Sequence, residues 1–208
     1  MRVHPLAPIL DAAATGRFPP ADGAVDVLPA DRGGVRAVTA FTGHAYVLAD
    51  VDPGELAARG ADGYGGATRA DVLVWLAGSV GRVGSLDVVL VAAGTPGPSI
   101  PRRTDLDHHP RVRRAVGYRT DVEVYGDDAG LVVLGHGLVG RKELSVELID
   151  PAAGGRGHGR RLIRAGLARV DPGEPCWAQV APGNAASLRA FLACGFVPVA
   201  SEVLIPPA

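Results

Sequence analysis

The 208-residue sequence has few aromatic residues, two cysteines and no long apolar run. Aromatic side chains make up 5% of the chain and hydrophobic residues 47%, so the core must consist mainly of Ala, Val and Leu. Cys176 and Cys194 are too few for a disulfide framework or a zinc site. No stretch approaches the ~20 apolar residues of a membrane span, and residues 1–10 have no hydrophobic signal core. We therefore expect a soluble cytoplasmic protein without a membrane partner.

An excess of positive charge is also lacking. Lys and Arg number 21 against 22 Asp and Glu, which gives a formal net charge of -1. Proteins that bind nucleic acid need an electropositive surface, and single-strand binders also need aromatic side chains on which bases stack. The sequence therefore predicts no nucleic-acid partner.

The N-terminal half carries no recognisable motif. Five prolines in the first 30 or so residues predict an extended or poorly ordered lead-in. Short strands and two helices are predicted from there to residue 91, and a Pro- and Gly-rich loop follows over residues 94–110. Within it, residues 105–109 read Asp-Leu-Asp-His-His and could bind a metal, but short runs of this kind are more often solvated loop, so no metal is expected. We expect residues 1–110 to form an α/β region that belongs to the same working unit as residues 111–208.

A glycine-rich segment between a predicted strand, 143–149, and a predicted helix, 160–170, is the most informative part of the chain. Its residues are Gly154, Gly155, Arg156, Gly157, His158, Gly159 and Arg160. Glycines at alternate positions let backbone N–H groups approach a bulky anion at the positive end of a helix. The spacing fits neither a dinucleotide fingerprint nor a Walker loop. The segment therefore predicts another kind of phosphate-binding loop, with a plain glycine-rich turn as the alternative.

A second segment, residues 184–196, follows at a fixed distance. Asn184 is a good helix N-cap, and Gly195 is a good C′ residue after which Phe196 can pack back on the last turn. Capping alone could explain these residues. Together with the glycine loop, however, the segment resembles the ordered motifs of the GNAT superfamily of acyl-CoA-dependent N-acyltransferases. Gly157 and Gly159 fill the two glycine positions of that family's pyrophosphate loop, and the resemblance covers about residues 119–204.

The resemblance implies a fold, a cosubstrate and a set of binding residues. The implied fold is α/β of the α+β type, with a central mixed, mostly antiparallel sheet flanked by helices and an N-terminal α/β extension. On this basis residues 111–208 are expected to form the acyl-CoA-binding catalytic region, and residues 1–110 to line its acceptor site. The implied cosubstrate is acetyl-CoA, whose pantetheine arm lies where the strand before the loop splays away from the strand after the loop helix. The residues implied to bind it are Leu148, Ile149, Gly154, Gly155, Arg156, Gly157, His158, Gly159, Arg160, Asn184 and Phe191.

Two strand glutamates are candidate general bases. Polar and apolar residues alternate over 143–149, and the simplest interpretation places Glu143 on a solvated strand face. In some members of the family that the chain resembles, a glutamate eleven residues before the phosphate loop acts as base, and Glu143 occupies that place. A carboxylate can take the proton of an amine, more effectively where burial has raised its pKa. Glu147 is the reserve candidate, and His136 and Tyr125 could also face the site.

The sequence thus predicts an N-acyltransferase, most simply acetyl-CoA-dependent, in which a bound amine attacks the thioester directly. The acceptor is expected to be a small-molecule or peptide amine, and a homodimer is left open. The alternative is a CoA-binding or protein-interaction module without catalysis, because Phe191 replaces the tyrosine that protonates the departing thiolate in many family members. An open acceptor cleft would favour the enzyme, and a cleft plugged by residues 111–119 would favour the module.

Overall fold

The computed structural model describes residues 3–79, 81–150 and 156–207, so Gly154 and Gly155 lie outside the described residues. The chain divides into two compact units: Met1–Val89 with Pro198–Ala208, and Leu90–Val197. This division differs from the one predicted after residue 110. The boundary lies inside a strand, and the end of the chain returns to the first unit, which no local sequence pattern indicates.

The first unit combines short helices with a mixed set of paired strands. Its helices are α1 (Leu6–Ala14), α2 (Pro53–Ala58) and α3 (Ala70–Ala77). Its strands are β1 (Val25–Leu28), β2 (Arg36–Phe41), β3 (His44–Leu48) and the last strand of the chain, β9 (Val197–Ile205). β3 pairs with β1 in parallel and with β2 in antiparallel fashion, and β2 pairs antiparallel with β9. Apolar side chains of α2 and α3 pack against β2, β3 and β9.

The prediction of an extended or poorly ordered N-terminal lead-in is wrong. α1 buries Leu6, Leu10 and Ala13, which are at most 1% exposed and follow one another at helical spacing. Pro5 is the N-cap and Pro8 lies in the first turn, where backbone N–H groups have no partner within the helix and proline is tolerated. The prolines therefore mark the start of a helix.

The second unit contains the elements around the predicted site. Its strands are β5 (Thr120–Asp127), β6 (Gly130–His136), β7 (Lys142–Leu148) and β8 (Pro175–Val180), and β4 (Leu86–Ala93) crosses the unit boundary along the sequence. Its helices are α4 (Pro110–Val116), α5 (His158–Leu167) and α6 (Ala185–Leu192). The strand order is β4-β8-β7-β6-β5, with β5–β6 and β6–β7 antiparallel and β7–β8 parallel. The predicted order of elements after residue 119 is confirmed.

α4 and α5 lie on opposite faces of this sheet. α5 packs on β6 and β7, and it does so closely: a Cβ at Gly166 would lie 2.2 Å from Leu144 Cδ1. α4 packs Val112 and Ala115 against a separate apolar cluster, whose strand residues are Val124, Leu131 and Val133. Successive strand residues point to opposite faces, so Leu144 points to α5 while Glu143, Ser145 and Glu147 point to the α4 face.

The predicted fold class, a mixed and mostly antiparallel sheet flanked by helices, is confirmed. Within the described ranges, each helix is too short or too polar to span a bilayer.

Candidate functional site

The described part of the glycine loop leads into the first turn of α5. Gly157 is the N-cap of α5 and has φ +84°, a left-handed conformation that favours glycine. It offers no side chain to cap the helix, so the first backbone N–H groups of α5 keep their hydrogen-bonding capacity. A Cβ built at Gly159 meets no atom of the surrounding described residues within 4 Å, and Arg156 and Arg160 are exposed. This geometry suits an anion, although binding through Arg156, Gly157, His158, Gly159 and Arg160 stays a prediction.

β7 and β8 separate just behind this loop. Their parallel ladder consists, among the described residues, of the single pair Glu143–Trp177. From that pair, β7 continues for five residues to Leu148, which is about 17 Å at the usual rise per residue. Ile149 follows at 61% exposure. The two strands therefore form a fork that opens toward the glycine loop, and the splay implied by the family resemblance is present.

The second motif is used for helix capping. Asn184 Oδ1 accepts a hydrogen bond from the Ser187 backbone N–H at 3.1 Å. Gly195 has φ +89°, and the Phe196 N–H donates to the Phe191 carbonyl at 3.2 Å. The Phe191 ring is 3% exposed and meets the Phe196 ring edge-on at a centroid distance of 4.9 Å. The predicted capping is confirmed, and Phe191 belongs to the protein core; coenzyme A contacts of Asn184 and Phe191 stay a prediction.

Glu143 lies at the root of the fork and is buried, so its predicted place on a solvated face is wrong. Its side chain is 4% exposed. Glu143 Oε2 accepts from Arg119 Nε at 2.8 Å, and Oε1 accepts from Arg141 Nε at 2.8 Å and from Gln179 Nε2 at 2.7 Å. Arg119 also donates from Nη1 to Ser145 Oγ at 3.1 Å. We call these five residues the fork cluster.

The fork cluster makes Glu143 a weak base. Burial alone would raise the pKa of its carboxyl group, but the charges of Arg141 and Arg119 and the hydrogen bonds from Gln179 and Arg141 outweigh burial. The pKa of Glu143 is consequently lowered, which favours the charged form. A general base near neutral pH needs the opposite shift. The geometry therefore favours a positioning role for Glu143 over proton abstraction.

The reserve candidates are engaged as well. Glu147 Oε2 accepts a hydrogen bond from Arg111 Nε at 2.8 Å. This pair is partly exposed, since the Glu147 side chain is 38% and the Arg111 side chain 34% exposed. His136 pairs with Asp121, and the Tyr125 hydroxyl donates to Glu123 at 3.2 Å. Burial and the neighbouring Glu123 raise the pKa of Tyr125. None of these contacts joins His136 or Tyr125 to the fork cluster.

The Asp/His loop serves local structure. Both carboxylate oxygens of Asp105 accept from Arg103, and His109 Nδ1 accepts from the Arg111 N–H at the start of α4. In the portion of the chain that the structure describes, no group of three His, Cys, Asp or Glu side chains is placed to hold a metal ion.

Sequence reasoning missed Arg119, Arg141 and Gln179. Arg141 precedes Glu143 by two residues, a spacing that places both side chains on one strand face, and this was an available signal. Arg119 and Gln179 lie 24 and 36 residues from Glu143. Their contacts depend on how α4 and β8 pack, so no local pattern predicts them.

Comparisons with known proteins give distant structural likenesses. No protein-family model and no curated protein matches the sequence. Among solved structures, the chain is similar to a GNAT-family protein from Novosphingobium aromaticivorans, with 24% identity, TM-score 0.42 and coverage of 61% of this chain and 66% of that one. It is also similar to a GNAT-family acetyltransferase from Colwellia psychrerythraea, with 8% identity, TM-score 0.38 and coverage of 61% and 57%.

A GCN5-related N-acetyltransferase from Kribbella flavida is similar at 15% identity and TM-score 0.38, with coverage of 62% of this chain and 60% of that one. The chain thus spans less than two thirds of the length of these structures. TM-scores below 0.5 mark distant likenesses, and the assignment of function rests on the residues of this chain.

Proposed function

We propose that this protein transfers an acyl group, most simply acetyl, from acyl-CoA to the nitrogen of an amine. The observation that carries the proposal is the fork between β7 and β8 with the uncapped first turn of α5 at its mouth. N–H groups at a helix N-terminus bind phosphate, and the open space at Gly159 leaves room for a pyrophosphate. An arm of the ligand that ran into the fork would bring its thioester toward the fork cluster.

The chemistry asks little of the protein beyond binding and orientation. The acyl-CoA supplies an activated thioester. The amine nitrogen forms a bond to the carbonyl carbon, the C–S bond breaks, the nitrogen loses a proton to water, and the departing sulfur takes up a proton from water. Holding the two reactants together can by itself supply a large part of the rate enhancement.

Both cysteines are poorly suited to carry the acyl group in an intermediate step. Cys176 is fully buried, and burial raises the pKa of its thiol to about 12. Burial also raises the pKa of Cys194. Because the thiolate is the nucleophilic form, these shifts favour direct attack of the amine over a cysteine-bound acyl intermediate.

The remaining parts of the proposal concern partners. The acceptor is proposed to be a small-molecule or peptide amine, the cosubstrate acetyl-CoA without a metal, and the location the cytoplasm. No nucleic acid or membrane enters the proposal, and a homodimer remains open.

A CoA-binding module without catalysis is the second candidate function. The side chains of Arg111 and Arg119 reach across the α4 face to Glu147 and Glu143, and both carboxylates are therefore paired. A site whose acids are paired with arginines lacks a ready proton acceptor, which favours a module. Binding of coenzyme A is common to both candidates, and acyl transfer separates them.

Gly159→Ala tests the shared binding step. The new methyl group would meet no atom of the surrounding described residues within 4 Å, so the fold should tolerate it, but it would occupy space beside the N–H groups of α5. Hydrogen bonds to charged groups contribute about 1.5–3 kcal/mol, so we expect CoA affinity measured by calorimetry to fall about 10- to 100-fold. Gly157 is less suitable because its positive φ would strain any side chain.

Gly117→Ala is the matched control. Gly117 has right-handed backbone angles, and a Cβ there meets no atom closer than 3.4 Å. Its affinity for CoA should equal that of the unaltered protein. Equal affinity of Gly159→Ala and Gly117→Ala would contradict the proposed pyrophosphate site.

A further inference from the structure

Arg119 holds a hydrogen-bond donor that no described residue of the protein accepts from. Its side chain is 9% exposed, although guanidinium groups are rarely buried without a full set of partners. Nε donates to Glu143 and Nη1 donates to Ser145. Nη2, which carries two N–H donors, has no hydrogen-bond partner among the described residues. Among the described residues, every fully buried side-chain N or O atom has a hydrogen-bond partner. Nη2 has none, so it is not fully buried, and solvent or a ligand can reach it.

The surrounding backbone fixes Arg119 firmly. Its N–H donates to the Ala115 carbonyl at 2.8 Å, which ties it to α4. It is followed at once by an irregularity in β5 between Thr120 and Glu123, where Asp121 has φ +49°. Bulges and left-handed non-glycine residues concentrate where a side chain must be aimed. The other non-glycine residue with positive φ in the described ranges, Val139, lies two residues before Arg141 of the fork cluster.

Glu143 and Ser145 hold the guanidinium on the α4 face of β7, at the root of the fork. Glu143 keeps its negative charge because its pKa is lowered, so it remains a fixed hydrogen-bond acceptor for Arg119. Two of the three nitrogens of Arg119 are thereby anchored, and the third is presented in a fixed direction. A guanidinium nitrogen with two N–H groups donates charge-assisted hydrogen bonds, for which a carboxylate is a strong acceptor.

We propose that Arg119 binds a carboxylate of the acceptor, so that the substrate is an amine that also carries a carboxylate, as an α-amino acid does. This inference rests on the proposed acyl transfer and names its substrate class. Arg119 is then a specificity residue, and Glu143 is a positioning residue that acts through it.

The test compares each α-amino acid of a panel with two analogues: its amide and the amine that lacks the carboxylate. The three differ in amine basicity, so the informative quantity is the change in their kcat/KM ratios between the unaltered protein and Arg119→Gln. A hydrogen bond to a charged group contributes about 1.5–3 kcal/mol, so we expect the amino acid to be preferred about 10- to 100-fold more strongly by the unaltered protein than by Arg119→Gln. Arg119→Lys should restore part of the preference.

Arg111→Gln is the matched control, because Arg111 also reaches β7 from α4 but lies in a partly exposed pair with Glu147. It should keep the preference. A second readout is the thermal midpoint in the presence of CoA. The amino acid should raise it through binding to the folded state, and the analogues should do so less. This difference should vanish in Arg119→Gln.

The double variant Arg119→Gln, Glu143→Gln removes the Arg119–Glu143 ion pair as a whole, although Arg141 then also loses the charge of Glu143. Its unfolding midpoint without ligand checks that it folds, and it should also lack the preference. Acylation of amines with the same ratios in all variants would overturn the role of Arg119 while leaving acyl transfer intact. A fall in kcat for all three acceptors alike in Arg119→Gln would instead assign Nη2 to the acyl group and overturn the inference. No acylation of any amine, with CoA still bound, would refute the proposed function itself.

Discussion

Each unit of the chain holds a buried ionisable side chain within a polar cluster. The buried group is a carboxylate bound by arginines in the second unit and an imidazole bound by carboxylates in the first. In the second unit, a buried carboxylate, Glu143, accepts hydrogen bonds from Arg119, Arg141 and Gln179. In the first unit, a buried imidazole, His44, contacts Asp22 through Nδ1 at 2.9 Å and Asp26 through Nε2 at 3.2 Å. The His44 ring also lies 4.8 Å from the Tyr46 ring.

The two clusters differ most in the exposure of their acids. The Glu143 side chain is 4% exposed, whereas those of Asp22 and Asp26 are 45% and 57% exposed. Water can replace a lost partner of an exposed carboxylate but not of a buried one. A glutamate at a position where a base is expected can thus be fixed in place by its partners, and those partners then determine its role.

Glu143→Ala is expected to cause the largest loss in the free energy of unfolding. Removing one partner of a buried ion pair leaves an uncompensated charge, which costs about 3–5 kcal/mol. We expect urea-induced unfolding of the second unit to show a loss of this size. Glu143→Gln, which keeps the shape and some hydrogen bonds, should lose less. A loss below about 1 kcal/mol for Glu143→Ala would mean that the arginines find other partners and that the clusters do not differ as described.

The acid dependence of stability sharpens the same contrast. The folded-state pKa of Glu143 is lowered, so the contribution of this group is fully present above the usual glutamate pKa of about 4.3 and is lost as the pH falls through the lower folded value. Glu143→Gln should remove this part of the acid destabilisation. Unfolding free energies measured between neutral pH and strong acid should therefore converge for the two proteins at the acid end. Parallel curves would show that Glu143 does not titrate below its ordinary value.

The pH dependence of acyl transfer by the same variant distinguishes a positioning role of Glu143 from a role as catalytic base. If Glu143 positions Arg119, Glu143→Gln should lower acyl transfer by a factor that does not change with pH near neutrality. Recovery of the variant as the pH approaches the pKa of the amine would instead identify Glu143 as the base.

A smaller effect is expected for His44→Ala in the first unit. The change removes two hydrogen bonds and the contact with Tyr46, but Asp22 and Asp26 can turn to solvent. We expect a loss of about 1–2 kcal/mol in urea-induced unfolding. A loss as large as that of Glu143→Ala would erase the distinction between the clusters.

The smallest effect is expected for Arg111→Gln, which breaks the partly exposed pair with Glu147. Exposed pairs contribute about 0–1 kcal/mol. The unfolding midpoint should therefore stay close to that of the unaltered protein. A loss of several kcal/mol would show that the Arg111–Glu147 pair belongs to the buried network at the root of the fork.

The sequence was informative where local signals and spacing determine structure. The α5 helix, the left-handed Gly157 before it and the capping of α6 by Asn184 all follow from residues a few positions apart. The helix α1 is also encoded locally, in the spacing of Leu6, Leu10 and Ala13, but prolines occur both in extended segments and at helix starts, so their number alone does not distinguish the two.

The contacts of the fork cluster could not be predicted from the sequence, for a different reason. Alternation along β7 indicates which residues share a face, but it does not reveal which helix covers that face. Glu143 is buried because residues from the end of α4 and from β8 converge on it. These contacts join distant parts of the chain, so the burial and the lowered pKa of Glu143 became apparent only with the tertiary structure.

Acyl transfer itself is the most direct test of the central claim. Protein, acetyl-CoA and a panel of amines with and without a carboxylate are mixed, and the released thiol and the acylated amine are quantified together by absorbance and mass spectrometry. We expect one thiol released for each amine acylated, no acylated cysteine on the protein, and a loss of at least about tenfold in Gly159→Ala at subsaturating acetyl-CoA. Bound acetyl-CoA whose thioester stays intact with every amine offered would contradict it and would identify the protein as a CoA-binding module.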